Sequence, residues 1–314
     1  SVTIDEPTEL VAAESHGDVS CNGGSDGSIL VSASGGVGPY EYSIDNGGTY
    51  QANNSFGGLA AGMYDVVVRD ANGCTTAAIS VTIEEPSAVS VTASLVSNAS
   101  CNGGSDGSAS AAGSGGTPGY TYDWSNGSTG ATATGLSAGT YTVTVTDSNG
   151  CTATDDVTIS EPTAVTWMTG PDGDALLCNG DTDGEVSAEA TGGTPGYTYA
   201  WEDGNGNSVG STGTVTGLGA GVYHVTATDA NGCEVTGSAT ITEPTELTAS
   251  ASGTDVSCNG GSDGTATVVA NGGTPGYTYL WDDGSTQSTA TATGLIPGTY
   301  TVTVSDANSC STTS

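Results

Sequence analysis

Gly115-Gly116-Thr117-Pro118-Gly119-Tyr120-Thr121-Tyr122-Asp123-Trp124 runs from a turn directly into a strand. Glycine and proline supply the positive or fixed φ that tight turns need. Tyr120, Tyr122 and Trp124 then alternate with Thr121 and Asp123, the period of a strand with one buried face. Tyr141, Val143 and Val145 alternate with Thr142, Thr144 and Thr146 in the same way. Threonine on the solvent side favours extended backbone without adding apolar surface. No segment combines a helical period with caps. Several short strands separated by turns predict a β-sandwich.

The same unit returns along the chain. Cys21-Asn-Gly-Gly-Ser-Asp-Gly27 recurs at 101–107 and 258–264, and as Cys178-Asn-Gly-Asp-Thr-Asp-Gly184. The offsets are 80, 77 and 80 residues (101 − 21, 178 − 101, 258 − 178). A second cysteine closes an Asp-x-Asn-Gly-Cys turn at Cys74, Cys151 and Cys233, with serine for glycine before Cys310. Four copies follow, at residues 8–86, 87–162, 163–244 and 245–314, the last without its final strand. Residues 1–7 read as the final strand of a preceding repeat or as a donated strand.

The expected fold class is all-β, a tandem array of four immunoglobulin-like β-sandwich repeats. Trp124, Trp201 and Trp281 fall where such folds bury a tryptophan on the third strand. Gly139–Tyr141 and Gly298–Tyr300 resemble the tyrosine corner that opens the sixth. Repeat 1 departs, with Ile44 in place of the tryptophan and a turn shortened at Gly38-Pro39, so its core is expected to be the weakest.

Taken together, the Cys-Asn-Gly-Gly-Ser-Asp-Gly, Gly-Gly-Thr-Pro-Gly-Tyr-Thr-Tyr-x-Trp and Gly-Thr-Tyr-Thr-Val-Thr-Val-Thr-Asp elements resemble SprB-type repeats. Those occur in very large surface adhesins of gliding bacteria, exported by the type IX secretion system. The resemblance implies a bacterial outer-surface, extracellular location and a part in adhesion, motility or matrix. It supplies no catalytic residues.

Charge limits the partners. Thirty-five acidic residues face a single basic one, Arg69, for a net charge of −34. Such a surface repels phosphate backbones and anionic lipids, which argues against nucleic acid and membranes. No apolar run approaches the roughly 20 residues that span a bilayer. Gly23-Gly-Ser25-Asp-Gly27 has the spacing of a nucleophile elbow. That motif needs a strand-to-helix turn and a histidine base, and only His16 and His224 are present. Lysine is absent, which removes lysine catalysis and lysine–asparagine isopeptide staples. The chain reads as a non-enzyme.

Two cysteines per repeat and no C-x-x-C read as an extracellular disulfide framework, with all eight oxidised. Two pairings stay open. Within repeats the bonds would be Cys21–Cys74, Cys101–Cys151, Cys178–Cys233 and Cys258–Cys310. In a sandwich, however, the loop before strand two and the turn after strand six lie at opposite ends. A seven-residue strand spans about 24 Å, whereas bridged Cα atoms sit roughly 4.4–6.8 Å apart. Bonding to the following repeat instead gives Cys21–Cys151, Cys101–Cys233 and Cys178–Cys310.

Acids crowd the same places. Glu6, Glu85, Glu161 and Glu243 mark the Glu-Pro linkers, with Asp26, Asp106, Asp183 and Asp263 on one side and Asp70, Asp147, Asp229 and Asp306 on the other. Asp172, Asp174, Asp181, Asp183 and Glu185 form the densest local set. Oxygen-only sets suit calcium as cofactor; the other reading is turn-capping carboxylates and solvated charge.

The reading is a structural or adhesive extracellular repeat protein, a rod or filament whose partners are adjoining repeats or further copies end to end. Residues 1–7 match Val157–Pro162 and Ala239–Pro244. The chain is therefore expected either to continue into more repeats or to be completed by residues 1–7 of another subunit. The alternative is a module that binds surface glycans, or a calcium-dependent adhesin.

Overall fold

A computed structural model describes residues 1–314, which group into two compact units. The first holds Ser1–Ala99 and Gly103–Glu161; the second holds Ser100–Asn102 and Pro162–Ser314. All regular structure is β, and no helix is long and apolar enough to cross a membrane.

In the first unit, repeat 2 displays the plan. Ser90–Ser97, Gly107–Ser114 and Thr132–Leu136 form one antiparallel sheet with Gly107–Ser114 in the middle. Thr121–Trp124, Gly139–Thr146 and Thr152–Ile159 form the other, centred on Gly139–Thr146. This is the immunoglobulin-like arrangement without its fourth strand. The period-two pattern explains the layering: Ala109, Ala111, Trp124, Ala133, Val143, Val157 and Ile159 point inward, and the threonines between them face out. Tyr122 and Tyr141 are half-buried, because each hydroxyl is held by backbone, accepting from the Gly113 amide and donating to the Ser137 carbonyl.

Repeat 1 has the same two sheets, Val11–Gly17, Gly27–Ser34 and Ser55–Leu59 against Glu41–Ser43, Gly62–Arg69 and Ile79–Ile83. Its core makes up for the missing tryptophan. Ile29, Val31 and Phe56 stand where repeat 2 has Ala109, Ala111 and Ala133, and Ile29 pairs with Phe56 as Ala109 pairs with Ala133. The expectation of a weak core overlooked this exchange of volume between facing strands. Arg69 binds Glu41 at 2.5 Å and stacks 4.1 Å from the Tyr50 ring centre.

In the second unit, repeat 3 packs Thr166–Gly173, Gly184–Thr191 and Thr214–Leu218 over a four-stranded sheet. That sheet runs Ser208–Gly210, Thr198–Asp203, Gly221–Thr228, Glu234–Ile241. Repeat 4 packs Thr248–Thr254, Gly264–Asn271 and Thr291–Leu295 over Thr278–Trp281, Val302–Ser305 and Ser311–Thr313. Its sixth strand starts at Val302 rather than at Gly298, where the sequence pattern placed it, because the closing strand pairs back only as far as Val302 and residues 298–301 have no ladder partner on that side. The tyrosine corner is present throughout: Tyr64, Tyr141, Tyr223 and Tyr300 donate to the carbonyls of Ala60, Ser137, Gly219 and Ile296.

Candidate functional site: the repeat junctions

Each junction is built from two small loops. In the Asp-x-Asn-Gly-Cys turn, Asp147 Oδ1 accepts the amides of Asn149 and Cys151, both at 2.9 Å, while Oδ2 accepts Thr117 at 2.8 Å. Asp70, Asp229 and Asp306 do the same in their repeats, and all four are buried. Hydrogen bonds hold these carboxyls below the ordinary aspartate range against the opposing effect of burial. The largest contributions come from the amides of Val37, Thr117, Thr194 and Thr274.

The second loop begins Cys-Asn-Gly. Gly23, Gly103, Gly180 and Gly260 take φ of 72°, 71°, 80° and 76°, the left-handed region glycine tolerates. Asp26 binds the amide and hydroxyl of Ser20, and Asp263 those of Ser257, which lowers both carboxyl pKa values. Repeat 3 has Leu177 at that serine position, so Asp183 has no equivalent hydroxyl. Ser25 lies in a strand-to-strand loop, His16 sits beside Glu14, and His224 faces solvent.

The turn of one repeat meets the loop of the one before it in sequence. Asn149 Nδ2 donates to Ser20 O at 2.9 Å, Asn231 Nδ2 to Ser100 O at 3.1 Å, and Asn308 Nδ2 to Leu177 O at 2.9 Å. Beside these contacts lie three disulfides, Cys21–Cys151, Cys101–Cys233 and Cys178–Cys310, with Cα separations of 5.7, 5.6 and 5.6 Å. Of the two pairings open from sequence, the structure has the one between successive repeats. The expectation of eight oxidised cysteines does not hold within the chain. Cys74 and Cys258 are exposed and form no disulfide within the chain.

Glu85, Glu161 and Glu243 accept the amides of Gly23, Gly103 and Gly180 at 2.6, 2.6 and 2.7 Å. Asp172 Oδ1 accepts the Gly173 amide, Asp174 donates its own amide to the Glu185 carbonyl, and the Asp181 amide reaches the Cys178 carbonyl. Nowhere do three carboxylates, histidines or cysteines gather as a metal-holding group; Asp172 and Glu185 lie on two paired strands, and Asp174, Asp181 and Asp183 on the loop between them. Asp106 is engaged within its own surroundings.

Acid titration follows from these turns. Aspartates with depressed folded pKa values contribute fully above the unfolded value of about 3.9 and lose that contribution as pH falls through the folded value. Acidification first relieves the self-repulsion of 35 acidic residues. Melting temperature by calorimetry is therefore expected to peak between about pH 4 and 5 and to fall steeply below about pH 3.5. Asp147→Asn should weaken that fall.

The SprB repeat profile matches residues 14–49, 93–129, 176–206 and 250–286. Three of the matches start within the first strand of their repeat and the third, at residue 176, starts just after it; all four run through the Cys-Asn-Gly loop to the turn that follows the third strand. Among solved structures, Sidekick-1 immunoglobulin domains 1–5 is similar at 14% identity and a TM-score of 0.30, over 96% of this chain and 75% of that one. The titin I-band fragment I67–I69 is similar at 15% and 0.34, over 76% and 99%. The N-terminal four Ig domains of Dscam1 isoform 6.9 are similar at 12% and 0.26, over 98% of both chains. No curated protein matches. Motif, profile and sandwich recur together: the SprB repeat profile matches once in each of the chain's four successive immunoglobulin-like units.

Proposed function

We propose that the chain is a structural spacer from an extracellular bacterial surface adhesin, a rod of repeats that extends end to end and holds a binding region away from the cell. One observation carries this reading: every disulfide joins successive repeats rather than closing one repeat on itself. Oxidised cysteines fit a compartment outside the reducing cytosol, and SprB repeats belong to cell-surface proteins. The module works by persistence, not by catalysis. Three of its four tryptophans serve the core: Trp124, Trp201 and Trp281 are buried and donate to backbone carbonyls, so these three offer no stacking face to a glycan.

Small-angle scattering of the chain in Mg²⁺, in Ca²⁺ and with a chelator tests the reading. The expected particle is elongated, with each repeat adding roughly 35–40 Å. Ca²⁺ and Mg²⁺ should act alike, by screening alone. A compact particle would remove the spacer reading, and extension specific to Ca²⁺ would favour the calcium-dependent adhesin.

A further inference from the structure

The Asp-x-Asn-Gly-Cys turn builds the repeat junction, and it also sets an asparagine directly before a glycine. In that dipeptide the side-chain amide is most open to attack by the next backbone nitrogen. The turn itself demands the pair. Gly150 and Gly232 take φ of 86° and 87°, and a Cβ on either would meet nothing within 4 Å. Glycine is there for its left-handed backbone and not for space. The asparagine is there for its Nδ2, which reaches across to the preceding repeat.

Other positions in the chain separate these ingredients. At Asn149 all are present: Nδ2 donates to Ser20 O at 2.9 Å and to Thr117 Oγ1 at 3.0 Å, and the Gly150 amide donates to Asp147 O at 3.1 Å. Asn231 repeats the set with Ser100 O, Thr194 Oγ1 and the Gly232 amide on Asp229 O. Asn205-Gly206 has the same turn at a hairpin tip of repeat 3. Asp203 Oδ1 accepts the amides of Asn205 and Asn207, both at 2.9 Å, the Gly206 amide donates to Asp203 O, and Gly206 has φ of 83°. There the asparagine side chain has no partner. Asn308 keeps the junction contact, to Leu177 O at 2.9 Å and Thr274 Oγ1 at 3.0 Å, but Ser309 follows it, with φ of 71°. Asn149, Asn205 and Asn231 are all exposed, so tethering and not burial sets them apart.

We infer that Asn149-Gly150 and Asn231-Gly232 are self-deamidation sites guarded by the closed junction, and that reaction there bars parted repeats from rejoining. The step needs only water. The Gly150 nitrogen forms a bond to Asn149 Cγ, and its proton leaves with the side-chain NH2 as ammonia, giving a succinimide ring. Water then opens the ring at either carbonyl and leaves aspartate or isoaspartate.

In the closed junction two acceptors hold the amide that has to swing toward the Gly150 nitrogen. When the repeats part, Ser20 O is withdrawn and the amide is released. A carboxylate at 149 then offers the Ser20 carbonyl no donor, and it sits beside Asp147 in a chain of net charge −34. The contact does not re-form, so each of these junctions keeps a one-way record of having opened. The chemistry is the same whether or not the chain serves as a spacer.

Incubating the native, oxidised chain at mildly alkaline pH, beside the chain unfolded in urea, tests the sites when peptide mapping separates asparagine, aspartate and isoaspartate. In the native chain Asn205 should react first, with Asn149 and Asn231 about tenfold or more slower. In urea these three rates should converge, while Asn308 stays slow because the Ser309 side chain hinders attack. A redox titration tests the consequence. In Asn149→Asp, the Cys21–Cys151 bond should be half reduced at a reduced-to-oxidised dithiothreitol ratio about tenfold lower than in the parent. Asn205→Asp should leave that midpoint unchanged. The inference is overturned if Asn149 and Asn231 keep pace with Asn205 in the native chain, or if Asn149→Asp leaves the midpoint where the parent has it.

Discussion

Trp201→Ala is expected to destabilise repeat 3 by about 3–5 kcal/mol, the usual cost of removing a large buried aromatic. Trp201 is fully buried among Leu176, Val186, Val225 and Ile241, and its indole N–H donates to the Thr212 carbonyl at 3.1 Å. Truncation leaves a cavity between two sheets whose backbones are fixed by their ladders, so collapse recovers little. It also leaves the Thr212 carbonyl without its donor. Domains of this size are stable by only about 5–15 kcal/mol, so repeat 3 should unfold in a separate, earlier transition in guanidinium. Trp167→Ala is the control, since that ring is half-buried at the sheet edge. Equal shifts from the two substitutions would refute the assignment of Trp201 as the centre of the core.

Removing the Cys21–Cys151 bond by a double substitution to serine is expected to cost about 2–5 kcal/mol. The ring it closes spans 130 residues, long enough that the chain-entropy estimate lies at the upper end of that range. Because the bond joins two sandwiches, the loss should appear in both repeats 1 and 2 by calorimetry. Cys74→Ser in the same dilute solution should change stability by less than about 0.5 kcal/mol, as for an exposed site without a partner. A matching loss from Cys74→Ser would mean that the thiol has a structural partner within the chain.

The sandwich was legible because alternation at Tyr122, Trp124, Val143 and Val145 admits little else. The disulfide pairing was legible only through topology, since a strand length separates the two cysteines of one repeat and no spacing rule states that. Two features were harder to see. The role of Asp70, Asp147, Asp229 and Asp306 is local: an aspartate two residues before an asparagine and four before a cysteine caps its own turn. The calcium reading rested on the meeting of these acids with the Glu-Pro linkers, which sequence order suggests but which gathers no group of three. In repeat 1, the loss of a tryptophan at Ile44 is answered by Ile29 and Phe56 on the opposite sheet, a long-range exchange that becomes visible only when strands are paired.

The overlapping bridges also define how tension would travel. Along the backbone, Cys21 and Cys310 are 289 residues apart (310 − 21). Through Cys21–Cys151 and Cys178–Cys310, the covalent route between them crosses only 27 residues (178 − 151). At roughly 3.5 Å per extended residue, that is about 95 Å of extensible chain instead of about 1,000 Å. A pull that melted every sandwich would therefore release less than a tenth of the hidden length. Asn22–Gly150, which includes every strand of repeat 2 but its last, would carry no tension at all. Such a chain gives way as a short strap does, holding its span under load where an unbridged series of sandwiches would pay out.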